Sequence, residues 1–289
     1  MSLPHESQLI GLLGHGVGVS LTPPMIEREA AEQGLPLLYR PIDTARLGYS
    51  LAELLQYAAD LGFTGFNVTH PHKQEVLGCL DTVAPMAAEL GAVNTVLLRE
   101  VSCGYNTDVS GFGRGLRNTI PADLLGSVLQ LGTGGAGSAI GFALLQAGVQ
   151  QLFLADLDHT AAQAQACRLA KSFPAARIVP IEVAQVQHVM KVVDGFVQAT
   201  PVGMAHHPGC PIDTGWLRPQ MWVADAIYRP IDTELVRAAR DADCIVMDGG
   251  HMAVGQAIDS FELFTGRKAD EERMRRHFNE LIATERAVA

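Results

Sequence analysis

Residues Ser127–Gly148 read SVLQLGTGGAGSAIGFALLQAG, and Leu152–Asp156 read LFLAD. The order is a strand, a glycine turn, an apolar helix, then a second strand closing on an acid. Gly132, Gly134 and Gly137 fit G-x-G-x-x-G, with Ser127–Leu131 as the strand before them. Gly148 is suited to the helix C-terminus. Asp156 stands 19 residues after Gly137. Glycines in this spacing are weak evidence alone; with the strand, the helix and the acid in place they predict a dinucleotide-binding βαβ unit.

Each residue type has a physical reason. Gly132 permits the tight turn, Gly134 keeps side chains away from a pyrophosphate, and Gly137 lets the helix lie close to the strand. Backbone N–H groups at the helix start then face the anion, aided by the helix dipole. Asp156 is placed to accept hydrogen bonds from ribose hydroxyls and to repel a 2′-phosphate. No Arg or Lys occurs in ADLDHTAAQAQ, so the cofactor reads as NAD rather than NADP. Asp158 is a second candidate for the ribose role. The competing reading is a glycine turn that binds nothing.

The bulk numbers narrow the class. At 289 residues the chain has room for one large or two ordinary domains. A net charge of −10 without a basic cluster argues against nucleic acid, so an anionic ligand must be caught by local groups. Cys79, Cys103, Cys167, Cys210 and Cys244 are widely spaced with no C-x-x-C, which suits a reducing compartment and neither a disulfide framework nor a zinc site. His70, Pro71 and His72, and the pair His206–His207, lack helical metal spacing, so no metal is expected. MSLPHESQLIGLLG has no charged start or cleavage site, and no apolar run reaches the roughly 18 residues of a membrane span. The expectation is a cytoplasmic protein with no membrane partner; monomer and homodimer both fit.

Strands and helices alternate along the chain, predicting α/β lobes with mostly parallel sheets. The first lobe reads as strands at Leu9–Leu13, Leu37–Ile42 and Gly65–Thr69, helices at Pro24–Gln33, Leu51–Leu61 and Lys73–Leu80, and an antiparallel pair at Val93–Arg99 and Cys103–Asn106. A helix begins at Asp108, where the acid suits an N-cap. From near Gly126 a doubly wound Rossmann unit follows. The tail from His251 is nearly all helix and must return to the first lobe. Residues 1–113 with 254–289 are thus expected as the substrate domain, and 114–253 as the dinucleotide domain, with a ligand cleft between them.

Polar residues gather at the strand ends of the first lobe. Asn67–Lys73 leaves a strand, Thr107–Asp108 opens a helix, and Ser20 and Thr22 precede a Pro pair. A hydride-transferring enzyme must also move the hydroxyl proton. No His has an obvious orienting acid, so a Lys with an Asp is the workable alternative. The hydroxyls and amides suit a polyhydroxylated, carboxylated ligand.

These pieces resemble the shikimate/quinate dehydrogenase family over nearly the full length. The resemblance is carried by SLTP at Ser20–Pro23, NVTHPHK at Asn67–Lys73, GAVNTV at Gly91–Val96, GYNTDVSGF at Gly104–Phe112, GTGGAG at Gly132–Gly137, ATPVGM at Ala199–Met204, DAIYRPIDTELVRAA at Asp225–Ala239 and DGGHMAVGQAIDSFELFTG at Asp248–Gly266. The NAD-using quinate/shikimate branch looks nearest. The resemblance implies Lys73 and Asp108 as the catalytic pair, Lys73 taking the proton from the ring hydroxyl and Asp108 hydrogen-bonding that hydroxyl. Ser20 and Thr22 would bind a carboxylate; Thr69, Asn94 and Gln256 would hold ring hydroxyls. Gly135, Ala136 and Gly137 would touch pyrophosphate. Thr200, Pro201 and Met204 would line the nicotinamide side, with Tyr228, Gly249 and Met252 near the junction with substrate.

Three departures stand out. Gln198 replaces a usual Asn before ATP-x-GM, which is expected to shift that loop. Ala155–Asp158 replaces the Asn-Arg-Thr-like stretch of NADP members. GHGVGVSLTP replaces the commoner Ile-His-Ser type of first ligand loop. The activity so implied interconverts shikimate or quinate with its dehydro ketone. The alternatives are a member acting on another, for example aminated, ring acid, and a non-catalytic NAD-binding regulator.

Overall fold

The structure is a computed structural model describing residues 7–288, with side chains described through residue 284. Met1–Glu6, part of the stretch read above as carrying no leader, lies outside the described residues. The chain divides into two compact units, Met1–Thr107 with Val254–Ala289 and Asp108–Ala253. The sequence reading sets the first boundary six residues later, at residue 113. The helix crossing it already packs within the second unit, since a Cβ on Gly115 would lie 2.7 Å from the Met247 side chain.

The first unit holds β1 (Gln8–Gly14), α1 (Thr22–Glu32), β2 (Leu37–Asp43), α2 (Leu51–Asp60), β3 (Gly65–Val68), β4 (Thr82–Val83), α3 (Pro85–Leu90), β5 (Thr95–Leu97) and β6 (Cys103–Tyr105). They form a six-stranded sheet ordered β2-β1-β3-β5-β6-β4. β1 runs parallel to β2 and β3, while β5 runs antiparallel to β3 and β6. The strands QLIGLLG and GFNV are buried because the sheet centre is covered. Leu13, Leu51, Leu55, Phe66, Val68 and Val96 close the core on one side. Ser50 and Glu53 open α2 with a reciprocal capping box.

The expected helix over Lys73–Leu80 is instead a turn followed by a 3-10 helix at Glu75–Cys79. The Lys73 carbonyl accepts the Val93 N–H at 2.8 Å, which draws it out of a helical ladder. Asp108 is not the N-cap either. α4 spans Thr107–Thr119 and places the acid inside its first turn, where the dipole still favours it.

The second unit continues with β7 (Ser127–Leu131), α5 (Gly135–Gln146), β8 (Gln151–Ala155), α6 (His159–Ser172), β9 (Arg177–Ile181), α7 (Val186–Val189), β10 (Gly195–Gln198), β11 (Trp222–Asp225), α8 (Glu234–Asp241) and β12 (Ile245–Met247). Its six strands are all parallel and ordered β12-β11-β10-β7-β8-β9. That is the doubly wound order with its switch point between β7 and β10, where such sheets bind ligands.

The chain ends with α9 (Gly249–Thr265) and α10 (Glu271–Val288). From Val254 onward these helices belong to the first unit, as expected. Arg273 of α10 grips the fully buried Glu29 of α1 through two nitrogens, each at 2.7 Å. No helix among the described residues is long and apolar enough to cross a membrane.

Candidate active site

In the second unit the candidate residues gather where β7 and β10 end. Gly132 takes φ 98°, a conformation that favours glycine. A Cβ on Gly137 would stand 2.2 Å from the Gly132 carbonyl oxygen, so the turn and the helix start are in contact. Gly134 is the extended N-cap of α5 and offers no side-chain cap. A Cβ on Gly134 or Gly135 would meet nothing within 4 Å. The first turn of α5 therefore has uncapped N–H donors with open space before them, which fits a pyrophosphate.

Asp156 follows β8 and is bound to this same loop. Its Oδ2 accepts the Thr133 N–H at 2.7 Å and the Thr133 hydroxyl at 2.8 Å, while Oδ1 accepts the Asp158 N–H at 3.1 Å. Asp158 is the N-cap of α6 and accepts the Thr160 N–H at 3.0 Å. The hydrogen bond from Thr160 holds its carboxyl below the ordinary aspartate range. Asp158 thus already serves a helix end.

The loop after β10 carries Thr200, Pro201 and Met204. A Cβ on Gly132 would lie 2.6 Å from the Ala199 carbonyl and 2.9 Å from the Thr200 methyl, so the two loops abut. The buried Gln198 organises the turn. Its Nε2 donates to the Thr200 hydroxyl at 2.8 Å and the Val202 carbonyl at 2.7 Å, and its Oε1 accepts the Thr200 N–H at 3.1 Å. Met204 is exposed, with its N–H on the Pro201 carbonyl.

Gly249 and Tyr228 are neighbours: a Cβ on Gly249 would lie 2.8 Å from the Tyr228 nitrogen. Met252, on the same helix as Gly249, is buried. The loop holding Tyr228 is tied by Asp225, which accepts the Ile227 N–H at 2.9 Å and the Thr233 hydroxyl at 2.7 Å. Burial pushes the Asp225 carboxyl up to about 6.

In the first unit the candidates lie where β1 and β3 end and β5 begins. Gln256 of α9 donates to the Thr22 hydroxyl at 3.0 Å, joining residues 22 and 256. The Thr22 N–H donates to Ser20 Oγ at 3.3 Å. The cap of α1 is Leu21, without a side-chain bond, so neither Ser20 nor Thr22 caps the helix. Thr69 packs beside Gly14, where a Cβ would meet its methyl at 2.4 Å. Lys73 is half-buried, and its backbone bond to Val93 sets it beside the residue preceding Asn94, just before β5.

Asn94 is buried and its amide is oriented by its neighbours. Oδ1 accepts the Thr107 N–H at 2.7 Å and the Thr95 hydroxyl at 2.9 Å, and Nδ2 donates to Thr107 Oγ1 at 3.1 Å. Behind it, Asn67 Nδ2 donates to Thr95 Oγ1 and to Ser260 Oγ, both at 2.9 Å, and its Oδ1 accepts the buried Tyr39 hydroxyl at 2.5 Å. Burial raises the Tyr39 pKa well above its usual value and keeps it a donor. Tyr39, Thr95, Thr107 and Ser260 were not foreseen as site residues. The one sequence signal leading to them is their partner Asn67, an amide inside the buried apolar strand GFNV. Among the described residues no three His, Cys, Asp or Glu side chains are arranged to hold a metal.

Comparison with known proteins agrees with this geometry. The profile for the "Shikimate dehydrogenase substrate binding domain" matches residues 12–96, and that for the "Shikimate 5'-dehydrogenase C-terminal domain" matches residues 251–277. Shikimate dehydrogenase (NADP(+)) of Pseudarthrobacter chlorophenolicus is 53% identical, with 100% of each chain covered. Quinate/shikimate dehydrogenase (NAD(+)) of Corynebacterium efficiens is 46% identical over 95% of this chain and 98% of its own. The quinate dehydrogenase of Corynebacterium glutamicum, solved in complex with NAD, superposes with TM-score 0.92 at 46% identity, covering 95% of this chain and 99% of that one. Sheet order, glycine loop and full-length identity converge, and the chain belongs to the shikimate dehydrogenase family.

Proposed function

We propose that this protein is an NAD-dependent dehydrogenase that interconverts shikimate, quinate or both with the corresponding dehydro ketone. The observation that carries the cofactor choice is Asp156, a carboxylate fixed at the glycine loop with no cation in the stretch after it. A 2′-phosphate placed against it would meet like charge. NADP is the second reading, favoured by the name of the 53% identical relative.

Bound at the loop, the dinucleotide supplies the hydride acceptor. The chain's own residues do the rest. Lys73 takes the proton from the ring hydroxyl as its C–H becomes hydride, and Asp108 accepts a hydrogen bond from that hydroxyl. Ser20 and Thr22 hold the substrate carboxylate. Thr69, Asn94 and Gln256 hold the ring hydroxyls, Asn94 with an amide already turned by Thr107. Gly135, Ala136 and Gly137 present N–H groups to pyrophosphate. Placing reacting groups in one geometry is the main source of rate.

Absorbance at 340 nm with shikimate or quinate and each cofactor tests the proposal directly. NAD is expected to support turnover with at least one of the two acids. Equal kcat/KM with NAD and NADP sinks the cofactor reading, and no turnover with either acid sinks the substrate reading. Lys73→Ala is expected to lower kcat by roughly 100-fold or more, as loss of a general base does, while dinucleotide binding survives.

A further inference from the structure

The helix that follows the glycine loop is held to its strand and to α6 by two buried side-chain amides that the assigned cofactor contacts do not include. Gln130 sits inside β7, fully buried, between Leu129 and Leu131. Its Nε2 donates to the Gly132 carbonyl and the Gly137 carbonyl, each at 2.8 Å. Gln165, from α6, is also buried, and its Nε2 donates to the same Gly137 carbonyl at 3.0 Å. Gly132 and Gly137 are the first and last glycines of the loop, so one amide spans its two ends.

The orientation of these amides is dictated. Turning either over would aim a carbonyl oxygen at a carbonyl oxygen. In the orientation found, the Oε1 atoms of both glutamines are buried with no partner among the described residues. A buried acceptor without a partner works against stability, and apolar side chains would fill this space without that penalty. Gly141 of α5 makes the room: a Cβ there would stand 2.7 Å from Gln165 Nε2 and 3.2 Å from Gln130 Oε1. Three positions on three elements thus keep two amides against one turn.

We infer that Gln130 and Gln165 are positioning residues for the dinucleotide. Their amides fix the Gly132 and Gly137 carbonyls, and so set the direction in which the N–H groups at the start of α5 meet the pyrophosphate. A hydrogen-bonded loop whose donors are already aimed loses less entropy on binding an anion. The inference rests on reading this loop as the dinucleotide site.

The test is Gln130→Met, which keeps length and volume and removes both donors, with Gln165→Met as the milder partner should the first fold poorly. KM for NAD is expected to rise about tenfold in Gln130→Met and about threefold in Gln165→Met, the range of one to two lost hydrogen bonds. With saturating NAD, kcat and KM for the ring acid should stay within about twofold of the parent. ADP-ribose, which keeps the pyrophosphate, should lose affinity in parallel, whereas adenosine should not. A loss confined to kcat or to thermal stability, with KM for NAD and the Kd for ADP-ribose unchanged, overturns the positioning role. Failure of the unmodified protein to bind ADP-ribose overturns the dinucleotide reading itself, and this inference with it.

Discussion

At the scale of single residues, Asp156 has two tasks on one carboxylate. In the proposed function it would accept hydrogen bonds from the cofactor's ribose, and in the structure it braces the glycine loop through the Thr133 N–H and hydroxyl. Asp156→Ala is therefore expected to do more than relax discrimination. KM for NAD should rise about tenfold or more, since hydrogen bonds to a charged group are lost on both sides. KM for NADP should change little, as relief of repulsion offsets a looser loop. The ratio of kcat/KM for the two cofactors, measured before and after, checks this; an unchanged ratio removes Asp156 as the discriminator. The first task is what the spacing of Asp156 after the glycine loop leads one to expect. The second is not, because a Thr inside G-T-G gives no sign of where its hydroxyl turns. The same limit hid Gln198: its departure from the family pattern was visible, but the hydrogen bonds tying it to Thr200 and Val202 depend on coordinates. Asp158 shows the converse, an acid in a plausible place that caps a helix.

At the scale of elements, the loop between β11 and α8 is held by a carboxyl that titrates near neutrality. Asp225 accepts the Ile227 N–H and the Thr233 hydroxyl while burial pushes its pKa up to about 6. An acid whose folded pKa lies above its unfolded value near 3.9 stabilises the fold below that unfolded value. The contribution fades as pH rises from about 4 through 6. Asp225→Asn should abolish this fade. Relative to the parent, the variant should gain about 2 kcal/mol of unfolding free energy between pH 4.5 and pH 7.5, measured by urea denaturation. A constant difference across that range would show that the carboxyl does not titrate there. Most element positions were legible, because apolar strands and Gly stops at residues 34, 62 and 148 are local signals. β4 and α3 were not anticipated, and the short 3-10 turn after Lys73 replaced an expected helix, where a long-range bond joins the Lys73 carbonyl to the Val93 N–H. No window of sequence around residue 73 contains residue 93.

At the scale of the whole molecule, the first unit is made of two distant stretches of chain, joined by Glu29 and Arg273. Burial works to raise the Glu29 pKa, but the hydrogen bonds from Arg273, the Asp270 N–H and Gln33 outweigh it and lower it overall. An acid held low in this way stabilises the fold above its unfolded pKa near 4.3, and that contribution is lost as pH falls through the folded value. Glu29→Gln removes the charge and leaves Arg273 facing a neutral group. The expected loss is about 1–2 kcal/mol near neutral pH, since charge-assisted hydrogen bonds are lost but Arg273 is partly exposed and water can solvate it. Thermal unfolding would register it, and a variant as stable as the parent would show the pair to be dispensable. That the tail returns to the first unit was legible from its composition, a helical stretch with no strands to pair. Which buried acid receives it was not, because Glu29 lies in a helix that reads as ordinary surface.

The two-part build of the first unit also orders events during synthesis. Domains generally fold as units while the chain emerges. Residues 108–253 are contiguous, so the nucleotide-binding sheet has all its strands once residue 253 has left the ribosome. The first unit's sheet emerges earlier yet must wait longer, because its partners Ser260 and Arg273 are translated only after the whole second unit. The sheet made first is thus completed after the one that follows it, and a nascent chain with residue 253 already outside the ribosome and Ser260 still inside would display a finished cofactor lobe together with a substrate lobe still missing its closing helices.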